Sequence, residues 1–282
     1  MSDSALESYL SSWREADPQR TCTWLFLRRA ERIRYGALAA MLHEWWKVVH
    51  DVREPAVAVA KLGWWREELQ HAAEGEARHP LTQSLFVDPR VREVPLSYWT
   101  AVVDAAMLAV AVPPPADFTA QRSTVAPLAN ATAELESCVW FGRRPESSRA
   151  AEVTAVANLV VDTRALPAEV GHGRSPLPMS LLARHGLTIE QLAADTPSRR
   201  AALRDYTALL QNALADAVTM TGPLTLFRAV VLQHDLRSLD RAVRAEDPLA
   251  ALRMSGLGFG NLLKTWRAAR TWRGISNTEM ES

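Results

Sequence analysis

The side chains with which this chain could do chemistry are seven histidines, two cysteines and equal numbers of acidic and basic residues. His43, His50, His71 and His79 do not fall at His-Glu-x-x-His spacing, so they do not form the helical zinc motif. A lone imidazole is usually satisfied by an ordinary hydrogen bond, and His50 reads that way first. Cys22 and Cys138 stand far apart, outside any Cys-x-x-Cys pair, which excludes a disulfide framework and points to a reducing compartment. Gly171-His172-Gly173-Arg174 could cradle an anion, but a Gly-x-Gly without a preceding strand is no dinucleotide loop, and His172 reads as exposed. The Trp45-Trp46 and Trp64-Trp65-Arg66-Glu67-Glu68 runs read as core and rim packing on amphipathic helices. Arg28, Arg29, Arg237, Arg241, Arg244 and Arg253 alternate with Glu31, Asp235, Asp240 and Glu246, the pattern of a solvated face with local pairs.

The elements that must position these residues are helices. Gly is scarce at 12 of 282 residues, and 48% of the chain is apolar, a balance that favours helices and supplies a sizeable core. Long proline-free spans, such as those between Pro18 and Pro55 and between Pro197 and Pro223, read as helices with their connections. Glu54-Pro55 and Pro197-Ser198 sit where helices start. Leu38, Met41, Leu42, Trp45 and Val49 recur at steps of three and four, as do Leu203, Tyr206, Leu210, Ala213 and Leu214. Segments 142–148 and 167–178 read as loops, Gly256 to Gly260 as a flexible connection, and the tail from Gly274 as frayed. No alternating strand pattern occurs. The prediction is an all-α fold of roughly a dozen helices, with residues 1–273 as one domain and 274–282 as a disordered tail.

Composition narrows the function. Lys+Arg and Asp+Glu both number 32, and a net charge of zero argues against general nucleic-acid binding. No stretch of about 18 apolar residues could cross a bilayer. The opening Met-Ser-Asp-Ser-Ala-Leu-Glu is unlike a secretory signal. A cytoplasmic protein is expected, with peripheral membrane contact compatible.

Four segments taken in order resemble the squalene/phytoene synthase family. The most specific runs from Arg53-Glu-Pro-Ala-Val through Lys61-Leu-Gly-Trp64-Trp65-Arg66-Glu67-Glu68-Leu69 to Arg78-His79-Pro80-Leu81. Upstream, Tyr35 to Glu44 resembles the helix that leads into the family's first acidic motif. Gly173-Arg174-Ser-Pro-Leu177-Pro178 with His185-Gly186-Leu187-Thr188, and then Leu239-Asp240-Arg241 with Lys264-Thr265-Trp266-Arg267-Ala268, complete the set.

The resemblance implies an isoprenoid-synthase-type helical bundle around a central cavity. It also implies head-to-head joining of two prenyl diphosphates with Mg²⁺ held by two Asp-x-x-x-Asp motifs. Positions i and i+4 share a helix face, so each motif offers two carboxylates to one space. Mg²⁺ takes hard oxygen ligands and neutralises a leaving diphosphate. Counted back from Lys61, the first motif falls on Trp46 to His50, placing Trp46 and His50 at the carboxylate positions with Lys47 between. Counted back from Gly173, the second falls on Ala165 to Glu169, with Ala165 at the first acid and Glu169 at the second. Tryptophan and lysine cannot bind Mg²⁺, and imidazole is a poor ligand for it. Trp46 would plug the mouth of the cavity.

Lys47, Arg164 and Arg174 remain as anion or substrate contacts. The expectation is a family member that has lost catalysis, needs no cofactor, and acts by binding an isoprenoid or a protein partner, as the family's assembly-factor-like members do. The alternative is an active Mg²⁺-dependent prenyl transferase using displaced carboxylates from Asp51, Asp162 and Glu169.

Overall fold

The computed structural model describes residues 3–16, 22–110, 112–142, 146–254, 262–263, 265–270 and 272. The Gly256 to Gly260 connection, Lys264 and the 274–282 tail lie outside them. Among the described residues the regular structure is helical throughout. The chain runs α1 (Asp3–Glu15), α2 (Arg29–Asp51), α3 (Pro55–Ala73), α4 (Pro80–Phe86), α5 (Pro89–Arg92), α6 (Leu96–Ala109) and α7 (Phe118–Phe141). It continues through α8 (Ser148–Arg164), α9 (Leu166–Gly171), α10 (Met179–Arg184) and a 3₁₀ turn (Glu190–Ala193). It then forms α11 (Pro197–Thr219), α12 (Leu226–Arg244) and α13 (Pro248–Arg253).

Prolines set many of these boundaries, because a first-turn proline gives up an N–H that has no partner there anyway. α3 starts at Pro55 after Glu54, as its sequence predicts. α11 starts at Pro197, and its cap is Thr196, whose hydroxyl accepts from the Arg199 N–H at 3.1 Å, rather than Ser198. The predicted 167–178 loop is helical in its first part: Pro167 sits in the first turn of α9. Glycine and proline content hid this short helix, although proline is compatible with a helix start. Pro127 lies inside α7, where proline spacing alone would have placed a break.

Two apolar clusters anchor the bundle. One joins α1 to α4, α6 and the end of α7, with Trp45 and Trp99 fully enclosed. The other joins α8 to α13, with Leu203, Tyr206, Leu210 and Leu214 at its centre. The predicted stripe of α2 is buried at Leu38, Met41, Trp45 and Val49, while Leu42 and Trp46 turn toward a cavity. α2 thus packs one face into a core and presents another to the space between the clusters.

The Trp64 to Glu68 run, the most specific part of the resemblance, is a folding joint. Buried Glu68 accepts from the backbone N–H groups of Arg78 (2.8 Å) and His79 (2.9 Å) and from the Thr82 hydroxyl. Those donors stand at the start of α4, where N–H groups lack helical partners. Burial alone would raise the Glu68 pKa, but the hydrogen bonds from His79, Thr82 and Arg78 win and hold it below its usual value. Trp65 is buried and packs on the His79 ring at 4.6 Å, whereas Trp64 is 47% exposed.

A cavity between facing helices

A cavity of about 440 Å³ lies between α2, α7, α8 and α12, within the range of small-molecule sites. Its walls are mostly apolar: Trp13, Leu42, Trp45, Trp46, Leu128 and Phe227 all line it. α2 and α8 bring Trp46, His43, Arg164 and Ala165 to its lining. Along α12 the cavity runs from Phe227 to Val231, about 6 Å at 1.5 Å per residue.

Each predicted site residue has a definite place. Trp46 lines the cavity and stacks between two imidazoles, on His50 at 4.3 Å and near His43 at 6.2 Å. Lys47, half-buried, pairs with Glu44 at 3.3 Å, one turn back on its own helix. Asp51 is exposed at the last residue of α2. Ala165 caps α8 and offers only a methyl group to the cavity.

The two helices meet through His50 and Asp162. The His50 Nδ1 lies 3.4 Å from Asp162 Oδ1, near enough for charge attraction, although that oxygen accepts no hydrogen bond. Burial pushes the Asp162 carboxyl up to about 6; His50 opposes this, Glu169 adds to it, and Arg174 opposes it. Counting back from Gly173 had set Asp162 one turn away from the motif. The fold nevertheless turns it toward α2.

Glu169 and Arg174 form a second bridge. Arg174 donates from Nε to Glu169 Oε2 at 2.8 Å and from Nη2 to Oε1 at 3.2 Å. The same Nη2 donates to the backbone carbonyl of His50, at the C-terminal end of α2. Cations and N–H donors satisfy helix C-termini well. A guanidinium therefore ties the segment after α8 to the end of α2. His172, predicted as exposed, is half-buried, with Nδ1 3.2 Å from the same guanidinium nitrogen.

Arg164 turns away from this bridge. It donates to Asp235 at 2.7 Å, to Ser238 Oγ at 3.1 Å and to the Leu252 carbonyl at 3.1 Å. Asp235 is only 2% exposed, so the solvated-face reading of the arginine-rich segments fails there. It holds at Asp240 and Arg244, an exposed pair at 2.7 Å. Sequence spacing could not show that Arg164 and Asp235, 71 residues apart, meet.

A charged pair in the cavity wall was not anticipated from the sequence. Glu136 on α7 and Arg228 on α12 form a two-bond pair, both bonds at 2.9 Å, in the cavity wall. The available signal was a single charge inside each apolar run, Cys138-Val-Trp after Glu136 and Ala229-Val-Val-Leu after Arg228.

The residues present do not fit a magnesium site. Trp46, Lys47 and Ala165 supply no oxygen, His50 faces Asp162, and Glu169 is occupied by Arg174. Among the described residues no group of three or more His, Cys, Asp or Glu side chains is placed to hold a metal ion.

The squalene/phytoene synthase family model matches residues 13–247. The chain belongs to that family. No curated protein matches it in sequence. Among solved structures it is similar to a dehydrosqualene synthase in complex with ligand, at TM-score 0.71 and 12% identity over 96% of this chain and 97% of that one. It is also similar to the squalene synthase HpnC from Alicyclobacillus acidocaldarius, at TM-score 0.53 and 17% identity over 96% and 95% of the two chains. At these identities the likeness is one of fold. The all-helical isoprenoid-synthase fold expected from the sequence is the fold observed. No helix among the described residues is long and apolar enough to cross a membrane.

Proposed function

We propose that this chain is a squalene/phytoene synthase family member that has given up metal-dependent prenyl transfer and uses its cavity to bind an isoprenoid, in an assembly-factor-like role toward a protein partner. The observation that carries this reading is the pairing beside Trp46, which lines the cavity and stacks on His50. Where two facing helices would need carboxylates converging on metal ions, His50 of α2 faces Asp162 of α8, and Arg174, which holds Glu169, donates to the His50 carbonyl. Arg174 neutralises Glu169 directly, and burial shifts Asp162 toward its neutral form. A transferase built on Asp162 and Glu169 would have to strip Glu169 of Arg174, and removing one partner of a buried charge pair is costly.

The apolar walls and the volume of the cavity favour an isoprenoid chain as the ligand. The test is release of diphosphate from farnesyl or geranylgeranyl diphosphate in the presence of Mg²⁺. The expected result is no release above the rate without protein. Mg²⁺-dependent release that disappears in both Asp162→Asn and Glu169→Gln would overturn the proposal and assign those acids to catalysis.

A further inference from the structure

We infer that the cavity selects an uncharged isoprenoid carrying an oxygen, an alcohol or carbonyl, whose oxygen is received by Arg228 and Thr132. This deepens the proposed function and rests on it.

Arg228 spends Nε and Nη2 on the two oxygens of Glu136, each at 2.9 Å. Its Nη1 has no hydrogen-bond partner among the described residues, and the residue lines the cavity. Thr132, one turn before Glu136 on α7, lines the same cavity, is 7% exposed, and its hydroxyl also has no partner among the described residues. Both groups face a mostly apolar cavity, where they stand as donors open to a ligand. A ligand oxygen accepting from both would match them.

The charge of the ligand follows from the same pair. Glu136 neutralises Arg228 at contact, so the pair presents donors without net charge. An anionic head group would meet the Glu136 carboxylate as well as the guanidinium, and would lose its hydration in the process. A neutral oxygen gains the hydrogen bonds without that opposition. A pure hydrocarbon would leave both donors unmatched. The pair sits beside Phe227, about two turns along α12 from Asp235, where Arg164 is engaged. The oxygen therefore binds away from the end where α2 and α8 are bridged.

Three probes with one carbon skeleton separate the possibilities: farnesol, farnesene and farnesyl diphosphate, titrated with EDTA present. Trp13, Trp45 and Trp46 line the cavity and report binding by fluorescence quenching. The key variant is the double change Glu136→Leu with Arg228→Met. It removes both charges at once and avoids leaving either buried alone. Its fold is checked by circular dichroism and a urea melt, and Thr132→Val provides a near-isosteric second test.

Farnesol affinity is expected to fall about tenfold in the double variant and about threefold in Thr132→Val, while farnesene changes by less than about twofold. Farnesyl diphosphate is expected to bind the wild type more weakly than farnesol. Equal loss for farnesol and farnesene, no loss for either, or tightest binding by the diphosphate would overturn the inference and leave isoprenoid binding standing. Failure of all three probes to bind would overturn the isoprenoid-binding proposal together with it.

Discussion

Asp162 offers the sharpest test of how α2 and α8 are joined. Its carboxyl is displaced from 3.8 to about 6, chiefly by burial. A displacement of roughly two pH units corresponds to about 3 kcal/mol. The folded state holds the proton up to about pH 6, whereas the unfolded chain releases it near 3.8. Between those values the unfolded chain binds fewer protons, so this group's contribution to stability falls as pH rises. Asp162→Asn keeps the shape and removes the titration. Urea unfolding of both proteins at half-unit steps from pH 3.5 to 7.5 measures the effect. The stability of the wild type relative to the variant should decline by up to about 3 kcal/mol across that range, with most of the decline between pH 4 and 6. A difference that stays flat, or one that favours the wild type more as pH rises, would refute the reasoning. The second outcome is what a carboxylate stabilised by its partners would give.

Other outcomes follow from the same contacts. Arg164→Met leaves Asp235 buried without its cation and should cost about 3–5 kcal/mol in a urea melt. The double change with Asp235→Leu should recover most of that loss. Glu68→Ala removes the acceptor for two backbone N–H groups and a hydroxyl, and should cost about 2–4 kcal/mol. Because the Glu68 pKa is held low, the wild type's advantage over that variant should be full above the unfolded carboxyl value near 4.5 and fade as pH falls below it. Unfolding followed at pH 3 and pH 7 checks the sign. Gly222→Ala should cost more than about 1 kcal/mol, since φ is +111° and a Cβ would lie 2.6 Å from the Glu146 carbonyl oxygen.

Much of this fold is written locally. The three-and-four spacing of Leu203 to Leu214 describes the buried face of α11, and Glu54-Pro55 marks the start of α3, because both depend on neighbours within a few residues. Short helices such as α9 were hidden, since their glycine and proline content looks like loop until the first-turn exception for proline is applied. The long-range contacts were out of reach for another reason. Arg174 with His50, Arg164 with Asp235 and Arg228 with Glu136 join residues 124, 71 and 92 positions apart, and nothing in local spacing selects one arginine's partner over another's. The orientation of Asp162 toward α2 belongs to the same class. Counting along the chain assumes a constant segment length between helix and turn, whereas the short helix α9 occupies part of that interval. The Trp64 to Glu68 run shows the converse. Its residues were conspicuous in the sequence, and their work is to hold the start of α4.

Asp162 and Glu169 face His50 and Arg174 rather than magnesium. Calorimetric titration of Mg²⁺ into the protein saturated with farnesyl thiodiphosphate, a diphosphate analogue slow to react, measures this most directly. No heat beyond that of Mg²⁺ meeting the free analogue is predicted, with the same trace for Glu169→Gln. Saturable Mg²⁺ uptake by the wild type that is lost in Glu169→Gln and in Asp162→Asn would contradict the account.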